Sequence, residues 1–326
     1  MTHSPTPLET LLKQQIRVHG PLPLADFMAQ CLYHPQFGYY TTGRNFSTQP
    51  PADFITAPEL TPLFGYTIAN WIEKAWQTLG QPTTFILAEC GPGRGTLTHD
   101  VLTHLQTTHP QTYAAAQPLL IETSPALTQR QQQTLQQFPQ CTWETDLPQS
   151  ETPLILLANE FLDAFPVQHK IGNAQQTVSL NGQNELALTH PGNVTEETSP
   201  AQTAWLQGLA SYPGPLAALL ADYGAAPESE ITQTDTLQAL HQHQKVDIFH
   251  QPGQTDLTAH VNFTHVHKVL GAQNCTLHNL ADFLLAHGLV ALGLQHPTQQ
   301  SSLQRLLHPA QMGTLFKVSC YTHTRP

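Results

Sequence analysis

Three glycines at alternate positions form the most informative stretch of this sequence. Gly91, Gly93 and Gly95 follow an apolar run that ends in Glu89, and Thr96 then opens a helix-like stretch. A strand, a glycine turn and a helix N-terminus together present backbone N–H groups to a nucleotide-like ligand. Glycines at such spacing also occur in ordinary turns. The stretch predicts a ligand site whose candidate residues are Glu89, the three glycines and Thr96.

The spacing of these glycines favours one cofactor over another. The pattern is GxGxG, whereas a dinucleotide site is expected to carry GxGxxG. S-adenosyl-L-methionine (SAM) lacks a pyrophosphate and carries an ammonium and a carboxylate group. An acid at the strand end beside a bare backbone turn suits that ligand better than it suits NAD. SAM is therefore the expected cofactor, and an NAD-dependent oxidoreductase is the disfavoured alternative.

Acids also follow the next two predicted strands. Ligands of α/β sheets lie across the carboxyl ends of the strands, so Glu122 is expected to accept hydrogen bonds from the ribose hydroxyls. Its alternative role is a helix-cap acid ahead of Pro125. Asp146 comes after the third strand, where an adenine amino group is expected, and it equally fits a solvated loop acid before Pro148.

The fourth predicted strand runs directly into polar residues. Asn159 and Glu160 follow it, and Asp163 comes three positions later. Methyl transfer is an in-line displacement, in which an enzyme mainly positions the nucleophile. A guanidinium nucleophile needs carboxylates that fix its plane and offset its charge, and Glu160 and Asp163 are the candidates. Asn159 is a candidate on both the cofactor and the catalytic side, although capping of the next helix explains it as well.

Other candidates lie further from the glycine turn. The segment Asp53–Glu59 is predicted either to cover the cofactor as a lid, with Glu59 as a catalytic candidate, or to be a packed N-terminal arm. In the C-terminal half, strand-end acids and one histidine are candidates for the substrate side, although structural roles are more usual for them. The substrate candidates are Asp53, Phe54, Asp222, Asp256 and His260.

The elements around these residues alternate between strand and helix patterns, which is typical of an α/β fold with a doubly wound parallel sheet. We expect a helical N-terminal arm and lid over 1–82 and a cofactor-binding domain over 83–326, with a hairpin insertion at 168–190 and an ordered excursion with little core of its own at 223–262. A late helix is predicted over Leu277–His287. The predicted strands are Phe85–Cys90, Leu119–Glu122, Cys141–Glu144, Leu154–Asn159 and Leu216–Asp222, followed by Leu289–Leu294 and Leu315–Tyr321.

Composition excludes several classes of function. The formal charge of the 326 residues is −11, so no basic stripe exists to bind nucleic acid. No run has the length of a transmembrane helix, and residues 1–20 resemble neither a secretion signal nor a transit peptide. Five scattered cysteines favour reduced thiols, and no metal site is expected. These features lead to the expectation of a cytoplasmic protein that inserts into no membrane.

Taken in order, blocks along nearly the whole chain resemble one family, the MidA-type SAM-dependent methyltransferases. The resembling blocks are His34-Pro35-x-x-Gly38-Tyr39-Tyr40, Asp53-Phe54-x-Thr56-Ala57-Pro58-Glu59, Glu89-x-Gly91-Pro92-Gly93-Arg94-Gly95-Thr96-Leu97, Glu122-Thr123-Ser124-Pro125, Asn159-Glu160-Phe161-x-Asp163-Ala164-x-Pro166, Asp222-Tyr223-Gly224, Asp256-Leu257-Thr258-Ala259-His260-Val261-x-Phe263 and Met312-Gly313-x-x-Phe316-Lys317.

The resemblance implies a class I methyltransferase fold, with a seven-stranded, mostly parallel sheet that is Rossmann-like and binds SAM. Mitochondrial members of that family methylate an arginine on a subunit of respiratory complex I and assist its assembly. The chain departs from the family pattern at Ala52, where the family has Gly, and at Asn262, where it has Asp. The leading hypothesis is a methyltransferase that acts on an arginine of a protein substrate. The alternative is an assembly factor that keeps the fold without turnover. The sequence leaves the oligomeric state open, a dimer included.

Overall fold

The computed structural model describes residues 4–42, 56–190, 192–225 and 235–324. Several helices begin at a proline, where the missing N–H costs no hydrogen bond. In chain order the helices are α1 (Pro7–His19), α2 (Leu24–Tyr33), α3 (Ala57–Leu60), α4 (Pro62–Thr78), α5 (Thr96–Thr108), α6 (Pro110–Ala115), α7 (Pro125–Thr134), α8 (Pro200–Ala210), α9 (Phe263–Leu270), α10 (Leu280–Ala286), α11 (Leu289–Gln295) and α12 (Gln300–Leu307).

The strands are short in the inserted segments and longest in the central sheet. They are β1 (Leu22–Pro23), β2 (Phe85–Cys90), β3 (Ala116–Ile121), β4 (Thr142–Glu144), β5 (Leu154–Asn159), β6 (Gln168–Ile171), β7 (Ala174–Gln175), β8 (Thr177–Leu180), β9 (Leu186–Leu188), β10 (Glu196–Thr198), β11 (Leu216–Ala225), β12 (Gln238–His241), β13 (Gln244–Val246), β14 (Asp256–Thr258), β15 (Val261–Asn262), β16 (Cys275–Asn279) and β17 (Phe316–His323).

Contacts among the residues divide the chain into two compact units. Within the described residues, the sheet unit comprises 56–162, 206–225 and 261–324. The inserted unit comprises 4–42, 163–190, 192–205 and 235–260. Helices α3 and α4, which the sequence analysis assigns to an N-terminal arm, belong to the sheet unit by their contacts.

The sheet unit is built on one large sheet with the strand order β16-β17-β11-β5-β2-β3-β4. The five strands from β11 to β4 are parallel, whereas β17 runs antiparallel to both β11 and β16. β15 adds a short parallel pair at the end of β11. This topology confirms the predicted α/β fold with a mostly parallel sheet.

Alternate residues of the central strands bury one face of this sheet against helices. Phe85 and Leu87 of β2, and Ile155 and Leu157 of β5, share a core cluster with apolar residues of α4, α5 and α10. Period two is the expected spacing for one sheet face. The central strands also bury their other face: the run Leu154–Ala158 is at most 1% exposed, as expected for parallel strands covered on both sides.

The inserted unit has its own core. Leu8, Leu12 and Ile16 line one face of α1 at helical spacing and pack with residues of α2, β8 and β14. The Thr6 side chain caps α1 by accepting from the Glu9 N–H, and its hydroxyl donates to the Pro252 carbonyl at 2.8 Å. Strands β8 and β9 form an antiparallel pair within the expected hairpin insertion at 168–190. The segment expected to form an ordered excursion also carries a small sheet of the order β13-β12-β14.

Two late elements correct the sequence analysis. The segment Leu289–Leu294 was expected to be a strand, but it lies in helix α11. The short run LVALGL fits either structure by periodicity, and burial of Leu289 and Leu292 three positions apart favours the helix. The strand is supplied instead by Cys275–Asn279, which pairs with β17 and includes the first three residues of the helix predicted from Leu277. The last predicted strand is confirmed as β17.

The described residues contain neither a membrane-spanning helix nor a group of metal-ligating side chains. None of the helices in the described ranges is both long and apolar enough to cross a membrane. The histidine, cysteine and acidic side chains in those ranges form no group that could hold a metal ion.

A buried histidine links α4 to α5 in the sheet unit. His104 is 9% exposed, and its Nε2 lies 3.1 Å from Oδ1 of Asn70. Its ring stacks on Tyr66 with centroids 4.8 Å apart. Desolvation, with smaller contributions from His109 and His296, lowers the pKa of His104 to about 4. The folded protein therefore favours the neutral ring.

This histidine should make the fold sensitive to acid. Because the pKa of His104 is about 6.5 when unfolded and about 4 when folded, its contribution is complete above pH 6.5 and is lost as the pH falls toward 4. We expect His104→Gln, which keeps a donor but cannot take a proton, to reduce the fall in Tm between about pH 7.5 and about pH 5 by roughly 2–4 °C. Thermal melts measure this, with the exposed His190→Gln as control. An equal fall in both variants would contradict the assignment.

Candidate functional site

The glycine turn between β2 and α5 has a backbone that glycine accommodates best. Gly91, Gly93 and Gly95 have φ angles of 65°, 53° and 81°, which disfavour residues with a Cβ. A Cβ on Gly91 would also stand 3.0 Å from the ring of Phe161. The Gly95 N–H donates to the Pro92 carbonyl at 2.7 Å, and Gly95 precedes α5 without a side-chain cap. The first N–H groups of α5 therefore have no capping side chain from Gly95.

Glu89, the acid ahead of this turn, is buried in the sheet unit. It is 5% exposed, and the hydroxyl of Thr98 on α5 donates to its Oε2. Desolvation raises the pKa of Glu89 to about 7, although the hydrogen bonds from Thr98 oppose that shift. A positive charge placed beside Glu89 would therefore restore its ionised form at neutral pH.

Glu122 follows β3 and is held on both of its oxygens. Oε1 accepts the Ser124 N–H at 2.7 Å, and Oε2 accepts from Nε2 of Gln131 at 2.9 Å. Burial raises the pKa of Glu122, while these donors oppose the shift. The Gln131 partner was not predicted from the sequence. The sequence does not distinguish Gln131, because α7 contains several glutamines and only burial in the structure separates Gln131 from the others.

Asp146, the adenine candidate, lies in the exposed loop that follows β4. The neighbouring Thr145 hydroxyl donates to its Oδ2 at 3.1 Å. Its assignment to the cofactor remains a prediction.

Glu160 follows β5 in an uncommon backbone conformation. Its φ of 50° lies in the left-handed region, and its N–H donates to the Ala221 carbonyl at 2.9 Å. Oε1 of Glu160 accepts from Nδ2 of Asn159 at 3.2 Å and from the Ala57 N–H at 3.4 Å. Burial raises the pKa of Glu160 to about 7, against these two hydrogen bonds. The structure thus brings Asn159 and Glu160 together with the start of α3.

Glu59 lies on α3, two residues after Ala57, and its carboxylate contacts residues beside the glycine turn. The Arg94 guanidinium donates to Oε2 of Glu59 at 3.0 Å, and the Thr96 hydroxyl donates to Oε1 at 2.8 Å. Both partners belong to the glycine turn or to the first residue of α5. Glu59 is therefore engaged with the cofactor candidates rather than with the other catalytic candidates.

Asp222, expected on the substrate side, supports the backbone after β5. It is 0% exposed, and its Oδ2 accepts the N–H groups of Phe161 and Leu162 at 3.2 Å and 2.8 Å. Oδ1 accepts the N–H of Tyr223 at 2.9 Å. The carboxylate thereby fixes the turn that carries Glu160, which explains an acid at this position without a substrate.

The remaining candidates lie in the inserted unit or outside the described residues. Asp163 and Asp256 are 6% and 3% exposed, and Oδ1 of Asp256 accepts from the Tyr40 hydroxyl at 2.9 Å. The His260 N–H donates to Thr236 at 2.8 Å, and burial lowers the pKa of its ring. Asp53 and Phe54 belong to the residues that the structure does not describe.

Together, the residues of the sheet unit fit a nucleoside that carries a cationic amino-acid group. The glycine turn has no side chains to cover its backbone, and the Glu122 carboxylate can accept hydrogen bonds from hydroxyl groups. Glu89 is buried and Glu160 is half-buried, and a cation would stabilise the charge of either carboxyl. SAM has all of these features. When bound, it supplies an electrophilic methyl group.

Comparisons with known proteins agree with this chemistry. The family model for S-adenosyl-L-methionine-dependent methyltransferases matches residues 67–190 and 172–281. The Drosophila melanogaster protein named protein arginine methyltransferase NDUFAF7 homolog, mitochondrial, is 31% identical, covering 94% of this chain and 82% of the relative. The Homo sapiens protein arginine methyltransferase NDUFAF7, mitochondrial, is 28% identical, covering 95% of this chain and 82% of its own length.

Two crystal structures of proteins from Burkholderia thailandensis share the fold. One, of an uncharacterised protein, is 27% identical with a TM-score of 0.82, covering 99% of this chain and 95% of that chain. The other was crystallised with bound S-adenosyl-homocysteine. It is 25% identical with a TM-score of 0.81, at the same coverage. The expected cofactor and fold class are confirmed.

The relatives correct the expected location. They are named as mitochondrial proteins, and this finding contradicts the prediction of a cytoplasmic protein. The prediction rested on features that residues 1–20 lack, and a missing signal does not identify a compartment.

The role of Asp222 can be tested by removing one of its charged oxygens. Asp222→Asn turns an amide nitrogen toward at least one backbone N–H that the carboxylate now accepts, and an unsatisfied buried donor costs about 1–3 kcal/mol. We expect the free energy of unfolding, measured with urea, to fall by that amount. Asp247→Asn is the matched control, because Asp247 accepts a single N–H in an exposed turn. Equal stability of the two variants would show that Asp222 does not hold this turn.

Proposed function

We propose that this chain, which belongs to the family of S-adenosyl-L-methionine-dependent methyltransferases, transfers the methyl group to an arginine side chain of a protein. Arginine methylation is the activity named for the relatives that resemble this chain along most of its length. The observation that carries the proposal is Glu160, a half-buried carboxyl at the carboxyl end of β5, where desolvation raises its pKa to about 7. A carboxylate at that point can pair with a guanidinium.

The cofactor side of the proposal rests on the sheet unit. Gly91, Gly93 and Gly95 allow close approach of backbone, and Glu122 accepts from the ribose hydroxyls. Glu89 offsets the cationic amino-acid group, Asp146 reaches the adenine, and Thr96 lies at the start of α5. Glu59, which holds Arg94 and Thr96, acts on the reaction by shaping this turn.

The acceptor side uses the end of β5. A nitrogen of the arginine side chain forms a bond to the methyl carbon as the carbon–sulfur bond breaks, and one N–H proton leaves the guanidinium. Glu160 orients the guanidinium through paired hydrogen bonds and accepts that proton, for which a pKa near 7 is suitable. Asn159 holds the carboxylate of Glu160 by donating from Nδ2 to Oε1 at 3.2 Å. Asp163 is proposed as a second carboxylate for the acceptor.

The substrate can be identified with labelled cofactor. Extract from cells that lack this protein is incubated with SAM carrying an isotopic methyl group and the purified chain, and labelled peptides are sequenced by mass spectrometry. We expect label on arginine. Gly93→Val should distort the turn, since its φ of 53° is unfavourable for a β-branched residue. We therefore expect it to abolish labelling and SAM binding without unfolding the protein. Label on lysine or on carboxyl groups would refute arginine as the acceptor. SAM binding without any label would favour an assembly factor that does not turn over.

Glu160 should give the reaction a characteristic pH dependence. Its ionised form pairs with the guanidinium, so kcat/KM should rise as the pH increases through about 7. Glu160→Gln cannot ionise, and we expect it to lower kcat/KM by about 10²-fold and to flatten the rise. Glu89 has a similar pKa, so a rise that persists in Glu160→Gln would assign the dependence to another group. The exposed Glu151→Gln is the control.

A further inference from the structure

Gln131 is a completely buried amide in the middle of α7. It is 0% exposed, and the helix around it contains mostly polar residues. Its side-chain stem passes the glycine turn, where a Cβ on Gly95 would stand 3.5 Å from its Cγ. A buried polar side chain costs free energy unless all its groups are hydrogen-bonded. The partners of Gln131 therefore show what it is there to hold.

Each polar group of this amide has a partner on a different element. Nε2 donates to the carbonyl of Gly93 in the glycine turn at 2.9 Å and to Oε2 of Glu122 after β3 at 2.9 Å. Oε1 accepts from the indole N–H of Trp143 on β4 at 2.9 Å. Because an indole N–H only donates and a backbone carbonyl only accepts, the orientation of the amide is settled by chemistry.

Nε2 of Gln131 therefore contacts both the glycine turn and the Glu122 carboxylate. The distance between the Gly93 carbonyl and the Glu122 carboxylate is limited, since both contact the same Nε2. The Ser124 N–H takes the other oxygen of Glu122 at 2.7 Å. The Thr123 backbone is a third and weaker donor to this carboxylate. An ionised carboxylate has about four acceptor positions on two oxygens, so Glu122 keeps acceptor capacity that ribose hydroxyls can use.

We propose that Gln131 is a positioning residue that sets the Glu122 carboxylate against the glycine turn, so that the site selects cofactors with both ribose hydroxyls. This inference rests on the proposed role of Glu122 in the cofactor site. Gln131 acts through Glu122 and does not itself touch the cofactor. Trp143 acts one step further out, because its indole holds the amide in the productive orientation.

The test measures discrimination rather than affinity alone. Calorimetry gives the Kd of S-adenosyl-homocysteine and of its analogue that lacks one ribose hydroxyl, for the parent chain and for Gln131→Met. A hydrogen bond to a charged group is worth at least about tenfold in Kd, so the parent should prefer the complete ribose by roughly tenfold or more. Gln131→Met, which has nearly the same volume without the donors, should reduce that ratio to about 1–3.

Each alternative predicts a different pattern of Kd values for the two ligands. If Gln131 only supports the fold, both ligands lose affinity equally and the ratio is unchanged, which overturns the proposal. If the parent binds S-adenosyl-homocysteine without discrimination, Glu122 does not contact the ribose, and the proposal is also wrong. If the parent does not bind S-adenosyl-homocysteine at all, the cofactor assignment in the proposed function fails instead.

Two further variants serve as a matched surface control and as an independent test of the amide orientation. Gln132→Met places the same change on an exposed position of α7 and should leave the ratio at the parent value. Trp143→Phe keeps both donors of Gln131 and removes the group that orients them, so it should give a ratio between those of the parent and Gln131→Met. Should Gln131→Met not fold, an unchanged ratio in Trp143→Phe overturns the proposal by itself.

Discussion

The register of the central parallel strands is the constraint on which the site depends. Cys90 pairs with Ile121 on one side and with Ala158 on the other, and Ala158 in turn pairs with Leu220. These strands therefore reach the same edge of the sheet at one level, with Gly91 and Glu122 directly after β2 and β3 and Glu160 directly after β5. A slip of one residue in any pair would turn the side chains of that strand to the opposite face. The apolar cluster behind alternate residues of β2 and β5 resists such a slip.

Three carboxyls lie at this edge, one of them buried and two half-buried, and each accepts hydrogen bonds from uncharged donors. Glu89 accepts from Thr98, Glu122 from Ser124 and Gln131, and Glu160 from Asn159 and Ala57. In every case burial raises the pKa more than these donors lower it. The chain therefore keeps acids at the expense of stability where a positively charged ligand would offset that cost.

Much of this arrangement could be predicted from local patterns. The alternation of strand and helix predicts the sheet, and the glycines, Glu122 and Asn159-Glu160 stand directly after strands, where a parallel sheet gathers its ligands. What could not be predicted depends on contacts between distant segments. Gln131 resembles any other glutamine of α7 until β4 and the glycine turn are placed beside it, and Asp222 resembles a substrate acid until the backbone of Phe161 folds onto it. The exchange of strand and helix among 275–295 has the same origin, because only pairing with β17 distinguishes Cys275–Asn279 as the strand.

The backbone at Glu160 has a further consequence. A φ of 50° is unstrained for glycine and costs other residues about 1–3 kcal/mol. Glu160 therefore makes the folded state less stable than glycine would at this position. Directed evolution of this protein for heat resistance, with no demand for turnover, would be drawn toward glycine at 160. In the role proposed for Glu160, such a variant would gain melting temperature and lose the carboxylate that orients the acceptor, so the residue at position 160 would distinguish stabilised variants that retain turnover from those that do not.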